Sequence, residues 1–454
     1  MKLSNPFWMC AMFSMTALHL SSQTNPIITQ WIQNLDGTTG SHYVSGNSTV
    51  IQDNVEVNVQ AVAYSASWAY VTTNGIPAYP TGPFLDGNPS LASDQNAIFK
   101  FPLVPTPNTG TPTATNGGNI GVFINGVALF DYRDGVSWNN NTNAEGGGPI
   151  MGPPGQGVWN RDAIVAEREG FDCAKGHPAM GNYHHHQNPS AFDLDLQVIS
   201  EVCNLYDSDG LYTINPNVHS PLIGFAYDGY PIYGAYGFAN NDGSGGVTRI
   251  RSSYQLRAIT ERTLYADGTD VADGPPINDT YPLGRYREDY EYVAHTEEDY
   301  LDGHNGRFCV TPGYPDGIYA YFCTVDANHN SAYPYAVGPT FYGNKVAVKV
   351  NSITENVEAY NPEDAVVETS PMLIDINLFP NPSNDFVAIQ FQGLLTQSLR
   401  VELLDAKGAL VRSSVIKAGS TIAFMDVSDV YAGEYFLVCS DKNQNTVKKI
   451  VVQH

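Results

Sequence analysis

The stretch Gly121-Val122-Phe123-Ile124-Asn125-Gly126-Val127-Ala128-Leu129-Phe130 reads as two short apolar strands joined at Asn125-Gly126. Both residues of an Asn-Gly pair readily take positive φ, which a tight hairpin turn requires. The rest of the chain keeps that character. Its 454 residues include 42 Gly, 29 Pro and 28 Tyr, and only 15% are charged, a composition that favours turns and half-buried strands over helices. Residues 146–157 read as a Gly/Pro loop, and only residues 159–169 look helical, with Ala163, Ile164 and Val165 on a short amphipathic piece. No internal repeat at solenoid or propeller periods is visible. The expected fold class is mainly β: an antiparallel β-rich central domain followed by a small C-terminal immunoglobulin-like β-sandwich.

Charge narrows the partners. The chain carries 22 Lys and Arg against 46 Asp and Glu, a formal net charge of −24. Nucleic acid is excluded as a partner, because a phosphate backbone needs the cations that are scarce here. The same deficit disfavours an anionic membrane surface.

The two ends read as separable. Lys2 followed by an apolar run from Phe7 to Leu20 and the polar exit Ser21-Ser22-Gln23 predicts an export signal over residues 1–23. That run is short for a membrane span, and no other stretch approaches the length, so no transmembrane segment is expected. Cys10 lacks the small-residue context of a lipoprotein cleavage site. Outside the cytoplasm, Cys173, Cys203, Cys309 and Cys323 allow two disulfides in three pairings, of which Cys173–Cys203 and Cys309–Cys323 close the shortest loops. Cys439 is left over as a small buried apolar residue. The domain order expected is a signal over 1–23, a β-rich domain over 24–351, an acidic linker over 352–371 and a sandwich over 372–454.

In the last segment Val387, Ile389 and Phe391 alternate onto one strand face. Around them stand Phe379-Pro380-Asn381-Pro382, the Lys407-Gly408 turn, Ala432-Gly433-Glu434-Tyr435 and the basic-apolar end Lys448-Lys449-Ile450-Val451-Val452. This set resembles the type A C-terminal sorting domain of the type IX secretion system of Bacteroidetes. The resemblance implies a partner, the type IX secretion machinery, and a secreted or outer-membrane surface-attached protein.

Function must then reside in residues 24–351, where the histidines cluster. Five of eleven lie between His177 and His219. In Tyr183-His184-His185-His186 an extended backbone sends His184 and His186 to one face and His185 to the other. Imidazoles at i and i+2 converge on one ion when a neighbouring element supplies a third ligand. His177 and His219 are the candidates, with Asp228 as a carboxylate, and zinc or copper suits such nitrogens. An open coordination position would give a Lewis-acid or redox centre, with Tyr183 nearby; a full shell would mean metal storage.

Several segments are similar to the YHYH domain family, named for a Tyr-His-Tyr-His motif. They are Phe171-Asp172-Cys173, Gly176-His177-Pro178, Gly181-Asn182-Tyr183-His184-His185-His186-Gln187-Asn188-Pro189, the run Ser220 to Gly234, Leu301 to Phe308 and Pro315 to Phe322. The resemblance implies an identity without a reaction, so the ligand stays unnamed. Here His185 replaces the second Tyr of the motif, and Tyr319-Ala320-Tyr321-Phe322 has no histidine for a second site.

Other motifs leave alternatives open. The three Tyr of Asp228-Gly229-Tyr230-Pro231-Ile232-Tyr233-Gly234-Ala235-Tyr236 either line a ligand pocket or pack as core. A metal-independent module binding glycans or proteins would use these loops. Asp207-Ser208-Asp209-Gly210 and Asp267-Gly268-Thr269-Asp270 resemble fragments of calcium loops without the closing Glu, leaving an irregular calcium site. Glu288, Asp289, Glu291, Glu297, Glu298 and Asp299 read as a solvated face, and Arg307 with Asp302 as a buried ion pair. No nucleophile elbow, phosphate loop or dinucleotide fingerprint occurs.

Overall fold

In the computed structural model, Asn125-Gly126 joins the antiparallel strands Asn119–Phe123 and Ala128–Phe130, with Gly126 at φ 80°. The structure describes residues 24–87, 90–148, 152–189, 211–212, 214–346, 348–362, 376–391, 395, 398–405, 408–418, 420, 422–440 and 445–454. The expected export signal, Cys203 and the 207–210 loop lie outside them. Contacts divide the chain into two compact units, Met1–Ala365 and Val366–His454.

The first unit is built around an eight-stranded sheet. Its order is Gly176–Ala179, Asn182–His185, Ala128–Phe130, Asn119–Phe123, Leu222–Ala226, Pro231–Tyr233, Tyr314–Phe322 and Gly306–Thr311. Most neighbours are antiparallel, as the Gly- and Pro-rich turns imply. Two pairs are parallel: Asn182–His185 beside Ala128–Phe130, and Pro231–Tyr233 beside Tyr314–Phe322. Each joins strands far apart in sequence, which a crossover permits and a hairpin does not. The central strand Leu222–Ala226 is buried at every position, as expected of one covered on both faces. Val122, Phe123, Phe225 and Phe322 pack from this sheet into one core with Val71, Phe99 and Phe101 of a second, five-stranded antiparallel sheet. Glu358–Tyr360, within the stretch read as linker, pairs with Val59–Tyr64 at the edge of that second sheet.

The second unit has three-stranded and four-stranded sheets over its own core, where Val387, Ile389 and Phe391 meet Val401, Leu403, Leu437 and Cys439. The chain is thus mainly β in both units, and among the described residues no helix is long and apolar enough to cross a membrane.

Three readings of the sequence need correction. Cys309 and Cys323 are free buried thiols, not a disulfide. In the Gly306–Thr311/Tyr314–Phe322 hairpin, Cys309 faces Ile318, so Cys323 lies five positions further along the ladder. That is roughly 16 Å at a strand's rise per residue, beyond the reach of a disulfide. Cys173, by contrast, is disulfide-bonded. Glu288 and Asp289 are buried rather than solvated, while Glu297 and Glu298 are exposed. Arg262, itself fully buried, forks onto Asp289 with Nε–Oδ1 2.7 Å and a second nitrogen at 2.9 Å from Oδ2. Arg307 does not pair with Asp302: it donates to the carbonyls of Glu298 and Phe238, and Asp302 accepts the Tyr319 hydroxyl at 2.9 Å.

Candidate metal centre

Met180 and Gly181 both have positive φ, 49° and 87°, and form the two-residue turn between Gly176–Ala179 and Asn182–His185. The register that follows sets His177 directly opposite His184, so the two imidazoles share one face. His186, two residues beyond His184, returns to the same face. The Nε2 atoms of His184 and His186 are 3.1 Å apart, and those of His177 and His186 are 3.4 Å apart. One ligand atom from each of the three residues falls within 4.8 Å of the others, and all three side chains are buried.

Backbone carbonyls fix two of the rings. His184 Nδ1–H donates to the Asn182 carbonyl at 2.9 Å, and His186 Nδ1–H to the Asp131 carbonyl at 2.6 Å. A carbonyl only accepts, so the proton of each neutral ring sits on Nδ1 and the Nε2 lone pair is aimed at the shared point. Phe130 stacks on His184 at 3.7 Å and Phe171 meets His177 edge-on at 4.9 Å, which limits rotation of both.

Glu167 completes the cluster, and the sequence reading missed it. Asp162 caps the one-turn helix Ala163–Ala166 by accepting from Ile164 N–H, and the helix ends at Glu167. Its Oε2 lies 3.4 Å from Nε2 of both His177 and His186. A tetrahedral ion with bonds of about 2.0–2.1 Å separates its ligand atoms by about 3.3–3.4 Å, so the 3.1 and 3.4 Å spacings suit one small ion, and the widest pair of the 4.8 Å cluster has to draw in around it. Burial holds His177 down to about 4 and pushes His184 down as well. Burial also depresses His186, but hydrogen bonding and charge from Glu167 outweigh it and the net shift is upward. The cluster lines a cleft of about 890 Å³ whose walls include Phe130, Arg133, Arg161 and the exposed Met180.

The opposite face of the same strand is a different environment. His185 Nε2 lies 2.9 Å from the Tyr79 hydroxyl, and Tyr183 donates to Asp172 at 2.8 Å. Tyr183 is therefore not beside the histidine cluster, contrary to expectation. Burial outweighs the hydrogen bonds that Asp172 accepts and raises its carboxyl to about 7. Between its ordinary value near 4 and about 7, the folded protein keeps a proton that the unfolded chain has released, so stability falls as pH rises through that window. Asp172→Asn is expected to flatten that part of the pH dependence, read from urea midpoints at pH 5 and pH 8. An unchanged slope would reject the assignment.

His219 and Asp228, expected as further ligands, do not join the cluster. His219 donates from Nδ1 to the Ser220 carbonyl at 2.7 Å and packs against Tyr233 and Phe238. Asp228 is consumed in a turn, accepting the Tyr321 hydroxyl at 2.6 Å and Gly343 N–H at 2.8 Å. The Tyr-Gly run divides: Tyr233 and Tyr236 are core, whereas Tyr230 also lines a separate groove with Phe308, Tyr314 and Tyr342. Asp267-Gly268-Thr269-Asp270 is a turn in which Asp267 accepts from Thr269 N–H.

Residues 98–333, which contain the whole histidine hairpin and Glu167, match the YHYH protein family model. The chain belongs to the YHYH family. Residues 377–453 match the secretion system C-terminal sorting domain. The YHYH protein is therefore secreted or attached to the cell surface, and its C-terminal domain addresses it to the type IX secretion machinery. No curated protein matches the YHYH chain.

Proposed function

We propose that this secreted YHYH protein binds one transition-metal ion, zinc or copper, through Nε2 of His177, His184 and His186, with Glu167 as the fourth donor. The observation that carries the reading is the convergence of lone pairs. Two imidazoles with Nδ1–H committed to carbonyls bring their Nε2 atoms to 3.1 Å in a buried site, an arrangement that repels unless a cation or a proton lies between them. With all four donors bound a tetrahedral ion has no open position, so Lewis-acid chemistry would need Glu167 to leave the ion, whereas copper would supply outer-sphere redox chemistry with the shell intact. The chain's own residues orient the rings, exclude water on the sheet side and leave access through the cleft.

Metal content decides it. The untagged protein, reconstituted separately with zinc and with copper and then desalted, is expected to retain about one ion per chain by elemental mass spectrometry. Background levels with both ions would reject the reading. In the same reading residues 1–23 are the export signal, so the secreted protein should begin near Gln23 or Thr24, and an N-terminus retaining Met1 would count against it.

A second reading rests on the groove of about 500 Å³ lined by Tyr230, Phe308, Tyr314 and Tyr342, with Phe308 well exposed. Aromatic faces of this kind stack on sugars. Glycan-array binding that persists in metal chelator and is lost in Phe308→Ala would support it; no binding would remove it.

A further inference from the structure

A contiguous set of tyrosines runs from the histidine cluster to the surface. The carbonyl that accepts from His186 belongs to Asp131, and the peptide bond following it carries Tyr132. Tyr132 is fully buried, accepts a hydrogen bond from the Tyr333 hydroxyl at 3.2 Å and has its ring 5.0 Å from that of Tyr333. Tyr333 in turn lies 5.3 Å from Tyr254 and is stacked on Tyr290 at 4.2 Å and 8°. Tyr254 stands opposite Tyr292 in a two-stranded ladder, ring to ring 5.7 Å, and Tyr292 is 44% exposed. Apolar packing alone would be served by Phe at the buried positions, without hydroxyls to satisfy. Phenol differs from benzene in another respect: it yields an electron far more readily once its proton has somewhere to go.

We propose that these tyrosines carry single oxidising equivalents from the metal centre to the surface, by way of Tyr132, Tyr333 and Tyr254 to Tyr292. The inference rests on the metal reading and narrows it to a redox-active ion, copper. In one pass the oxidised centre gains an electron, the buried tyrosines return to their starting state, and Tyr292 loses an electron and releases its phenolic proton to water. With a peroxide as oxidant, a one-electron donor of the phenol or ascorbate class in solution returns Tyr292 to phenol after each pass, the proton coming back from water; two passes then deliver the two electrons, and two protons balance the reduction of one peroxide to two waters. The function is to draw a damaging oxidant away from the ligands.

The test uses the full chain loaded with copper, whose stoichiometry is measured first. Hydrogen peroxide is added with a nitroso spin trap, and the adduct is located by peptide mass spectrometry. Trapping at Tyr292 is expected in the wild type. In Tyr333→Phe and in Tyr132→Phe it should fall to the level of copper-free protein, with copper content unchanged. Tyr319→Phe, outside the path, should trap as the wild type does. Full trapping at Tyr292 in the two path variants, or equal trapping without copper, overturns the path while leaving metal binding intact. A chain that retains zinc but not copper does the same. A chain that retains neither ion overturns both readings.

Discussion

Replacing His186 with Ala is expected to weaken metal retention on the order of 100-fold, and replacing His184 and His186 together on the order of 10,000-fold. Structural zinc sites with four donors are worth about 10–16 kcal/mol, so each donor removed costs roughly 3 kcal/mol. The estimate applies because no other imidazole among the described residues is placed to substitute. His185 faces the other side of the sheet toward Tyr79, and His219 is held against Ser220. His219→Ala is thus the informative control. It removes a histidine that the sequence alone ranks beside His177, and it should leave metal content at the wild-type value. Competition against a chromophoric chelator measures all three affinities. Equal loss in His219→Ala and His186→Ala would mean that the ion is held elsewhere.

The second large effect concerns stability. Arg262→Ala is expected to destabilise the first unit by about 3–5 kcal/mol, the cost typical of stripping one partner from a buried pair. Arg262 and Asp289 are both without solvent exposure. Removing the guanidinium strands a carboxylate that retains only the N–H groups of Gly284 and Tyr286, and also frees the carbonyls of Pro275, Tyr281 and Pro282. Arg251 offers the contrast. It forks onto Asp299 at 2.7 and 2.8 Å, but its side chain is 34% exposed. Solvent screens that pair, so Arg251→Ala should cost no more than about 1 kcal/mol. Urea unfolding of the two variants separates them, and similar losses would show that burial does not set the value of these pairs.

The difference between these two arginines also shows where sequence reading runs out. Glu288 and Asp289 sit in a row of carboxylates that resembles a solvated face, and nothing nearby announces that Arg262, 27 residues earlier, reaches Asp289. The hairpin at Asn125-Gly126 was legible because its signal is local. So was the alternation of His184, His185 and His186. The choice of His177 over His219 was legible in principle, since 177 and 184 are symmetric about the Met180-Gly181 turn, but that needs the turn to be recognised first. Glu167 carries no such signal: it is one acidic residue at the end of a one-turn helix, and only the cap at Asp162 fixes where it falls. The Cys309–Cys323 pairing failed for a related reason, because closeness in sequence says nothing about ladder register.

The strand Asn182–His185 is buried on both faces, and its side chains serve two unconnected interiors by parity alone. A single-residue deletion between Gly181 and His184 would leave composition and hydropathy almost unchanged. It would nonetheless exchange the two sets, so that this strand brings one imidazole to His177 where it now brings two, and two beside Tyr79 where there is one. The site is therefore protected less by the identity of its histidines than by their reading frame along the strand. Insertions and deletions there should be far less tolerated than substitutions of equal size.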